Sequence, residues 1–268
     1  MTEMLLHWKA YCIEASLLGA FMFTACAAVV LFHHPGSPVT GAINSDFRKR
    51  LAIGVLMGLT AIALIYSPLG QLSGAHMNPG TTLTFFLLGK VEPSDAACYI
   101  CFQALGGIIG VAAARLLFSH HVAHEHVRYA STLPGKHGLA VAFAAEFIIS
   151  CMLMTVVLWT SNFTRTAAYT GIFAGILVAS FIAIEAPLSG MSMNPARTLA
   201  SAVWSREYRG LWLYFTAPPL GMLLAAGVYV ALRGTDAVYC AKLHHPHEGI
   251  CIFHCNIDRM PGWTATPH

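Results

Sequence analysis

Long apolar stretches separated by short polar segments dominate the chain. Six of these stretches are long enough to cross a lipid bilayer, which takes about 20 residues per helix. They lie near residues 11–32, 51–69, 96–118, 138–159, 168–187 and 211–232. Two shorter apolar runs, near 78–88 and 194–204, have about half the length of a span. The pattern therefore predicts an all-α membrane protein with six transmembrane helices and two half-helices.

The two short runs follow the same motif. The first stretch reads SGAHMNPGTTL from Ser73, and the second reads SGMSMNPARTL from Ser189, 116 positions later. Each half of the chain also has a helix with a glutamate near its start, Glu14 in the first and Glu146 in the second. Because each half has three spans, the second half enters from the opposite side of the membrane. The chain is thus predicted to be an inverted 3+3 repeat.

The Asn-Pro pairs predict how the half-helices begin. Asparagine is a good N-cap residue, and proline at the first helical position loses no hydrogen bond. The predicted helix starts are Asn78, Pro79 and Gly80 in the first half and Asn194, Pro195 and Ala196 in the second. By the inverted symmetry the two positive dipole ends meet near the bilayer centre, where they repel cations and protons. One such motif could simply cap an interfacial helix, but two in register favour a pore.

Composition excludes several classes of protein. The chain is 56% hydrophobic and only 10% charged, whereas a soluble domain has about 25% charged residues. The net charge of +3 is small, and no basic run is interleaved with aromatic residues, so nucleic acid is not an expected partner. The phosphate-binding pattern G-x-x-x-x-G-K is absent from the sequence, as expected for downhill transport without catalysis.

These motifs resemble the aquaporin, or major intrinsic protein, family over about residues 10–233. The sequence FQALGG at 102–107 and Arg197 directly after Asn-Pro-Ala strengthen the resemblance. It implies a bacterial-type channel, a homotetramer of right-handed helical bundles in the inner (plasma) membrane, with one pore per protomer and no required cofactor. It also implies that Glu14 and Glu146 are buried and hold loop backbone. Cytoplasmic termini rest on the resemblance alone, because the distribution of Lys and Arg does not support them.

The resemblance also implies a selectivity filter. Its members, counted from the two motifs, are Met57, Ile182, Met191 and Arg197. Gly58 is the alternative to Met57, because the alignment needs one extra residue around Pro68. This filter has no aromatic residue and no histidine, and Thr198 stands where glycerol-conducting members usually have aspartate. Water is therefore the first candidate. The alternative is a facilitator of glycerol or other small neutral solutes with a wide apolar filter.

Glu185 is an ionisable residue inside a predicted span. It follows Ile182 by three residues and so lies on roughly the same helix face. Intramembrane carboxylates generally have a functional partner. We expect either a pairing with Arg197 or an anchor for the backbone of residues 189–193.

A polar tail, residues 234–268, follows the predicted channel domain of residues 1–233, whose repeats span about 10–118 and 138–233. The metal-ligating residues of the tail are Cys240, His244, His245, His247, Cys251, His254 and Cys255. Zinc takes four nitrogen or sulfur ligands, but the spacing matches no zinc finger. The tail is either a zinc or redox site or a soluble segment with reduced thiols. A metal- or redox-sensing membrane protein with a vestigial pore is thus a second alternative to a working channel.

Overall fold

The computed structural model of the chain describes residues 2–245 and 251–263, and all regular elements among them are helical. The α-helices are α1 (Thr2–His33), α2 (Pro38–Ala42), α3 (Asp46–Tyr66), α4 (Pro68–Ser73), α5 (Pro79–Leu87), α6 (Pro93–Phe118), α7 (Leu139–Ser161), α8 (Thr164–Ala167), α9 (Thr170–Ile184), α10 (Ala186–Ser189), α11 (Pro195–Ser205) and α12 (Leu211–Arg233). Short 3₁₀ turns lie at Ser119–His121, Arg128–Ala130, Thr235–Ala237 and Ile257–Arg259.

Six of these helices correspond to the predicted spans, and the predicted membrane fold is confirmed. Within the described residues, α1, α3, α6, α7 and α12 are long and apolar enough to cross a membrane. The span predicted near 168–187 is shorter than expected, because α9 ends after 15 residues and a turn at Glu185 leads into α10. The half-helices α5 and α11 have 9 and 11 residues.

Helix packing follows the internal repeat. Helix α1 packs on α6 in the first half, α7 packs on α12 in the second, and α3 packs on α9 across the halves. Glycine allows the closest of these contacts. A Cβ atom on Gly106 would lie 2.0 Å from the carbonyl oxygen of Ala15, and one on Gly110 would lie 2.1 Å from that of Gly19. Small residues at such positions let helix backbones approach closely where no hydrophobic force drives association.

Each half-helix begins with an asparagine cap and packs on the third helix of the other repeat. Asn78 Oδ1 accepts from the backbone N–H of Gly80 at 2.8 Å, and α5 packs against α12. In the second half α11 packs against α6. The contact with α12 also gives a reason for glycine at position 80, because an added Cβ would lie 2.9 Å from Met222 Sδ.

The tail folds back over the end of the bundle from which α1 starts. Tyr239 N–H donates to Asn162 Oδ1 at 2.7 Å, and His254 N–H donates to the carbonyl of Lys90 at 3.0 Å. Near the start of α1, His7 Nδ1 lies 2.9 Å from Asp95 Oδ2 at the start of α6. We call this end of the bundle the tail end, and the opposite one the loop end.

Candidate pore and selectivity filter

A cavity of about 650 Å³ lies between the two repeats. Helices α3 and α9 and the start of α10 give it apolar walls, formed by Ile53, Met57, Ala61, Ile65, Ala174, Val178, Ile182 and Ala186. Its polar lining at the re-entrant loops includes Asn78, Asn194 and Arg197. Asp46, Arg50 and His126 line it toward the loop end, and His76 and Leu243 line it toward the tail end. The arrangement is an apolar passage with hydrogen-bonding groups at the re-entrant loops and charged residues toward the loop end.

Glu14 holds the first re-entrant loop from a fully buried position. Its Oε1 accepts from the Ser73 hydroxyl at 2.8 Å and the His76 N–H at 3.0 Å. Its Oε2 accepts from the Met77 N–H at 2.6 Å and from Gln103 Nε2 at 2.8 Å. A loop at membrane depth has no water to satisfy its backbone, so these bonds replace solvent.

Glu146 holds the backbone of the second re-entrant loop in the same way. Its Oε1 accepts from the Ser189 hydroxyl at 2.6 Å and the Ser192 N–H at 2.7 Å. Its Oε2 accepts from the Met193 N–H at 2.7 Å. The two glutamates therefore bind equivalent donors in the two repeats, which is the role that the family resemblance implied for them.

The two asparagines tie the re-entrant loops to each other. Asn78 Nδ2 donates to the carbonyl of Met193 at 2.7 Å, and Asn194 Nδ2 donates to the carbonyl of Met77 at 2.6 Å. Met77 and Met193 have φ values of +49° and +54°, a region that side chains other than glycine rarely adopt. Such backbone persists only where the surroundings fix it, here through the glutamates and the reciprocal asparagine bonds.

Arg197 follows the second asparagine at the start of α11. Its backbone N–H donates to Asn194 Oδ1 at 3.1 Å, so the cap also orients the residue. Its Nη1 atom is buried and has no hydrogen-bond partner among the described residues. A buried donor without a protein partner is costly, so a solute or water oxygen in the passage is its natural acceptor.

Hydroxyl groups brace the loop that carries Arg197. The hydroxyls of Ser192 and Thr198 lie 2.5 Å apart, and those of Thr132 and Thr198 lie 2.7 Å apart. In the sequence, Thr198 stands out only because it occupies the position where glycerol-conducting members usually have aspartate. The structure gives it a positioning role, which no spacing in the sequence indicated because Thr132 lies in a distant loop.

The four expected filter residues, Met57, Ile182, Met191 and Arg197, all line the cavity. Met57 is 2% exposed, whereas its alternative, Gly58, packs against α9. A Cβ on Gly58 would lie 2.5 Å from the carbonyl oxygen of Gly175. Of the two alignments, only the one through Met57 gives a cavity-lining residue.

Glu185 does not pair with Arg197. No ion pair joins these two described residues, and neither carboxylate oxygen of Glu185 has a hydrogen-bond partner among the described residues. The cavity stripe of α9 advances four residues at a time, from Ala174 to Val178 to Ile182, and Ala186 follows in the same step at the start of α10. A step of three residues rotates a side chain by about −60° and a step of four by about +40°. Ala186 therefore continues the stripe, and the buried Glu185 lies to one side of it.

The tail brings four of its predicted metal ligands together. The Sγ atoms of Cys240, Cys251 and Cys255 and a ring nitrogen of His245 all lie within 4.8 Å of one another. Hydrogen bonds from the thiols of Cys240 and Cys251, with a smaller contribution from His245, lower the pKa of the Cys255 thiol. This favours the thiolate, which is the form that binds metals.

The other histidines of the tail are placed elsewhere. The ring of His244 packs edge-on against Tyr66, with centroids 4.7 Å apart. The ring of His254 bonds to the carbonyl of Gly89 and to the Glu92 carboxylate, and these bonds raise its pKa. His247 lies outside the described residues. Sequence spacing could not separate ligands from these residues, because the fold of the tail decides which side chains converge.

Comparison with known proteins identifies relatives of this chain. The family model for "Major intrinsic protein" matches residues 1–229. The protein named "Aquaporin NIP1-2" of Arabidopsis thaliana is 34% identical over 231 residues, covering 83% of this chain and 74% of that one. "Nodulin-26" of Glycine max is 32% identical over 222 residues, covering 80% and 74%. Because these relatives are plant proteins, the comparisons give no support to the bacterial assignment expected from the sequence.

A solved structure shares the fold. The X-ray structure of the aquaglyceroporin from Plasmodium falciparum superposes with a TM-score of 0.73, covering 86% of this chain and 99% of that one. The two sequences are 19% identical, so this likeness concerns the fold. It agrees with the six spans and two half-helices described above.

Proposed function

The chain belongs to the major intrinsic protein family of membrane channels, and we propose that it passes water and small uncharged solutes downhill while excluding protons and other ions. It is an integral multi-pass membrane protein and a channel rather than an enzyme. Its relatives bear the name aquaporin, and its structural neighbour is called an aquaglyceroporin. The proposal concerns which molecules pass and which residues select them.

The observation that carries the proposal is the reciprocal pair of asparagines. Each carboxamide nitrogen has two N–H groups and uses one of them on the opposite loop. The second N–H of each can donate to an oxygen in the cavity. A water molecule that accepts from Asn78 and Asn194 must point its own hydrogens away from both. Proton relay along a water chain needs each water to donate in the same direction, so the relay is interrupted there.

Electrostatics add to this barrier. Helices α5 and α11 present their N-terminal ends at the two asparagines, and each end has a partial positive charge. Arg197 adds a full positive charge on the same passage. Beyond Asp46 at the loop end, a cation in the apolar passage would lose its hydration and meet only these positive charges, whereas a neutral hydrogen-bond acceptor finds donors.

For the filter we propose the set Met57, Ile182, Met191 and Arg197. Three of its members offer no hydrogen bond, so the arginine and nearby backbone carbonyls must compensate water for the bonds it loses. Water remains the first candidate. Methionine side chains are flexible, so the ring can also admit small neutral solutes of moderate polarity.

We further propose that both termini face the cytoplasm and that the protein is a homotetramer, as is usual in this family. Native mass spectrometry of the protein in a mild detergent tests the assembly. A dominant species of four chains is the expected result, and a dominant monomer would contradict it.

Conduction needs no cofactor, but we propose that the tail cluster binds zinc. Three thiolates and one imidazole form a ligand set that zinc favours, whereas Ca²⁺ and Mg²⁺ prefer oxygen ligands. The Cys and His residues of this cluster lie outside the filter.

Proton exclusion is the direct test of the proposed function. Full-length protein in liposomes should raise osmotic water permeability above that of empty liposomes, as measured by stopped-flow light scattering. A pH-sensitive dye trapped in the same vesicles should report no added proton flux, because the facing helix ends and Arg197 remain in place. Acidification that keeps pace with water flow would contradict the proposal.

Replacing Ile182 by histidine should raise the ratio of water to urea permeability by about tenfold. The larger side chain narrows the proposed ring, which hinders urea more than the smaller water molecule, and its imidazole offers water a hydrogen bond; a tenfold change corresponds to about 1.4 kcal/mol. Ile184→His is the matched control, because Ile184 lies on the same helix but is 71% exposed on the outside of the bundle. An unchanged ratio in Ile182→His would remove Ile182 from the filter.

A further inference from the structure

The tail reaches into the tail end of the passage. Leu243 lines the cavity and is 6% exposed, and its backbone N–H donates to the carbonyl of Gly74 at 3.1 Å. Two residues earlier, the carbonyl of Ala241 accepts a hydrogen bond from His76 Nε2 at 2.8 Å. Gly74 and His76 belong to the re-entrant loop that leads to Asn78. The segment 241–243 therefore lies directly on the first pore loop, with an apolar side chain at the entrance.

A second part of the tail meets the same loop. The ring of Phe253 stacks on that of His76, with centroids 5.3 Å apart and planes inclined by 9°. Gly74 leaves room for it, because a Cβ atom there would lie 2.8 Å from the Phe253 ring. Phe253 is 6% exposed, so the contact is part of the packed interior. Two tail segments thus converge on residues 74–76.

The Cys-His cluster joins these two segments. Cys240 and His245 flank Leu243, and Cys251 and Cys255 flank Phe253. Cys240 Sγ lies 3.5 Å from Cys251 Sγ, and Cys255 Sγ lies 3.3 Å from His245 Nε2. In a tetrahedral zinc site with Zn–S bonds of about 2.3 Å, sulfur atoms lie about 3.8 Å apart. The four ligand atoms already have nearly the dimensions of such a site.

We propose that a zinc ion bound by Cys240, His245, Cys251 and Cys255 fastens the tail in the tail end of the pore, with Leu243 as the stopper. The inference rests on the proposed channel function and adds its regulation. The zinc-bound channel conducts water slowly, and loss of the metal raises its conduction. In the structure the four ligands converge while both segments contact residues 74–76, so the energy of metal binding stabilises this seated arrangement. Without it, the remaining hydrogen bonds of the tail can be exchanged for bonds to water at the end of the bundle.

Metal content and water flux should change together. Full-length protein, purified without chelator and reconstituted in liposomes, should hold one zinc ion per chain, as measured by elemental analysis. Treatment with a membrane-permeant chelator should remove the zinc and raise osmotic water permeability by about tenfold, and added Zn²⁺ should reverse the change.

Cys251→Ser should hold no zinc and conduct at the high level with or without chelator. Cys101→Ser is the matched control, because Cys101 is exposed on α6 and far in sequence from the cluster.

Leu243→Ala separates a stopper from a purely structural metal site. This variant should retain one zinc ion per chain, since the ligands are intact, and yet conduct at the high level in the zinc-bound state. Co²⁺ substitution should give the visible absorption of a tetrahedral thiolate site in both the wild type and Leu243→Ala.

The possible outcomes are distinguishable. Bound zinc whose removal leaves water permeability unchanged would overturn the closing role. Absence of bound zinc, with a Cys240–Cys251 disulfide found by mass spectrometry, would overturn the metal site. If untreated wild type conducts water as fast as Leu243→Ala and Cys251→Ser, and chelation does not change its flux, the latch is rejected and the channel function stands. Failure of the wild type, the chelated wild type and both variants to exceed empty liposomes would reject the channel function itself.

Discussion

Glu146→Ala should abolish water conduction and strongly destabilise the protein. The substitution leaves the N–H groups of Ser192 and Met193 and the hydroxyl of Ser189 without their acceptor in a buried position. Each buried donor that loses its partner costs about 1–3 kcal/mol, so the total is several kcal/mol. The second re-entrant loop, with its positive φ values at Met191 and Met193, then has little to hold it. Thermal unfolding in detergent and stopped-flow permeability in liposomes measure the two effects.

Two further variants isolate the cause. Glu207→Ala removes a carboxylate that is exposed at the surface and should change neither unfolding temperature nor permeability. Glu146→Gln keeps the shape of the side chain but presents an N–H group to one of the loop donors, so it should fall between the wild type and Glu146→Ala. Normal water flux in Glu146→Ala would show that the loop holds its conformation without the glutamate.

Much of the fold could be predicted from the sequence, because the strongest signals are local and repeated. The length and apolarity of each span predict a transmembrane helix, and each Asn-Pro pair predicts the start of a half-helix. The boundaries were harder to predict. Helix α3 begins at Asp46 rather than near residue 51, because Ser45 caps it through a hydrogen bond to the Arg48 N–H and polar residues fill its first turn. Apolar pattern alone cannot detect a turn of this kind.

Glu185 shows the limit of arguing from helix faces. A spacing of three residues predicts that Glu185 lies beside Ile182, near Arg197. The cavity face of α9 instead follows the four-residue steps Ala174, Val178 and Ile182. A face is about one side chain wide, so a rotation of about 60° is enough to remove a residue from it. Only the packing of α9 against α3 decides which stripe faces inward.

The sequence predicts the metal-binding chemistry of the tail, but it does not predict where the tail lies in the fold. Seven of its Cys and His residues lie within sixteen positions and indicate a metal site, and four of them converge. Nothing local indicated that Leu243 would line the pore, because that contact joins the end of the chain to residues 74–76. Long-range contacts of this kind depend on the whole fold. A polar segment without hydrophobic periodicity does not indicate which of its side chains will be buried.

Arg197→Val should open the channel to solutes that the wild type excludes, with urea permeability rising by about tenfold. Valine removes a buried positive charge and the unpartnered Nη1 donor from the cavity, and it leaves a wider ring lined entirely by apolar groups. An arginine at a constriction is a barrier to cations, and a tenfold change corresponds to about 1.4 kcal/mol. Cation and proton leakage should increase as well, though less, because the asparagine pair and the helix dipoles remain. Stopped-flow urea flux and a trapped pH dye measure these effects in Leu243→Ala vesicles, where the tail does not limit the flow.

The matched control for Arg197→Val is Arg209→Val, also made in the Leu243→Ala protein. Arg209 is an exposed arginine beyond the end of α11, so its loss makes the same change in net charge without touching the cavity. If both variants raise urea flux equally, the effect comes from the overall charge of the protein. If Arg197→Val leaves urea and proton permeability unchanged, Arg197 does not control the constriction, and selection must occur elsewhere along the passage. A selective increase in Arg197→Val alone would instead fix the filter at the point where α11 begins, one helical turn from Asn194.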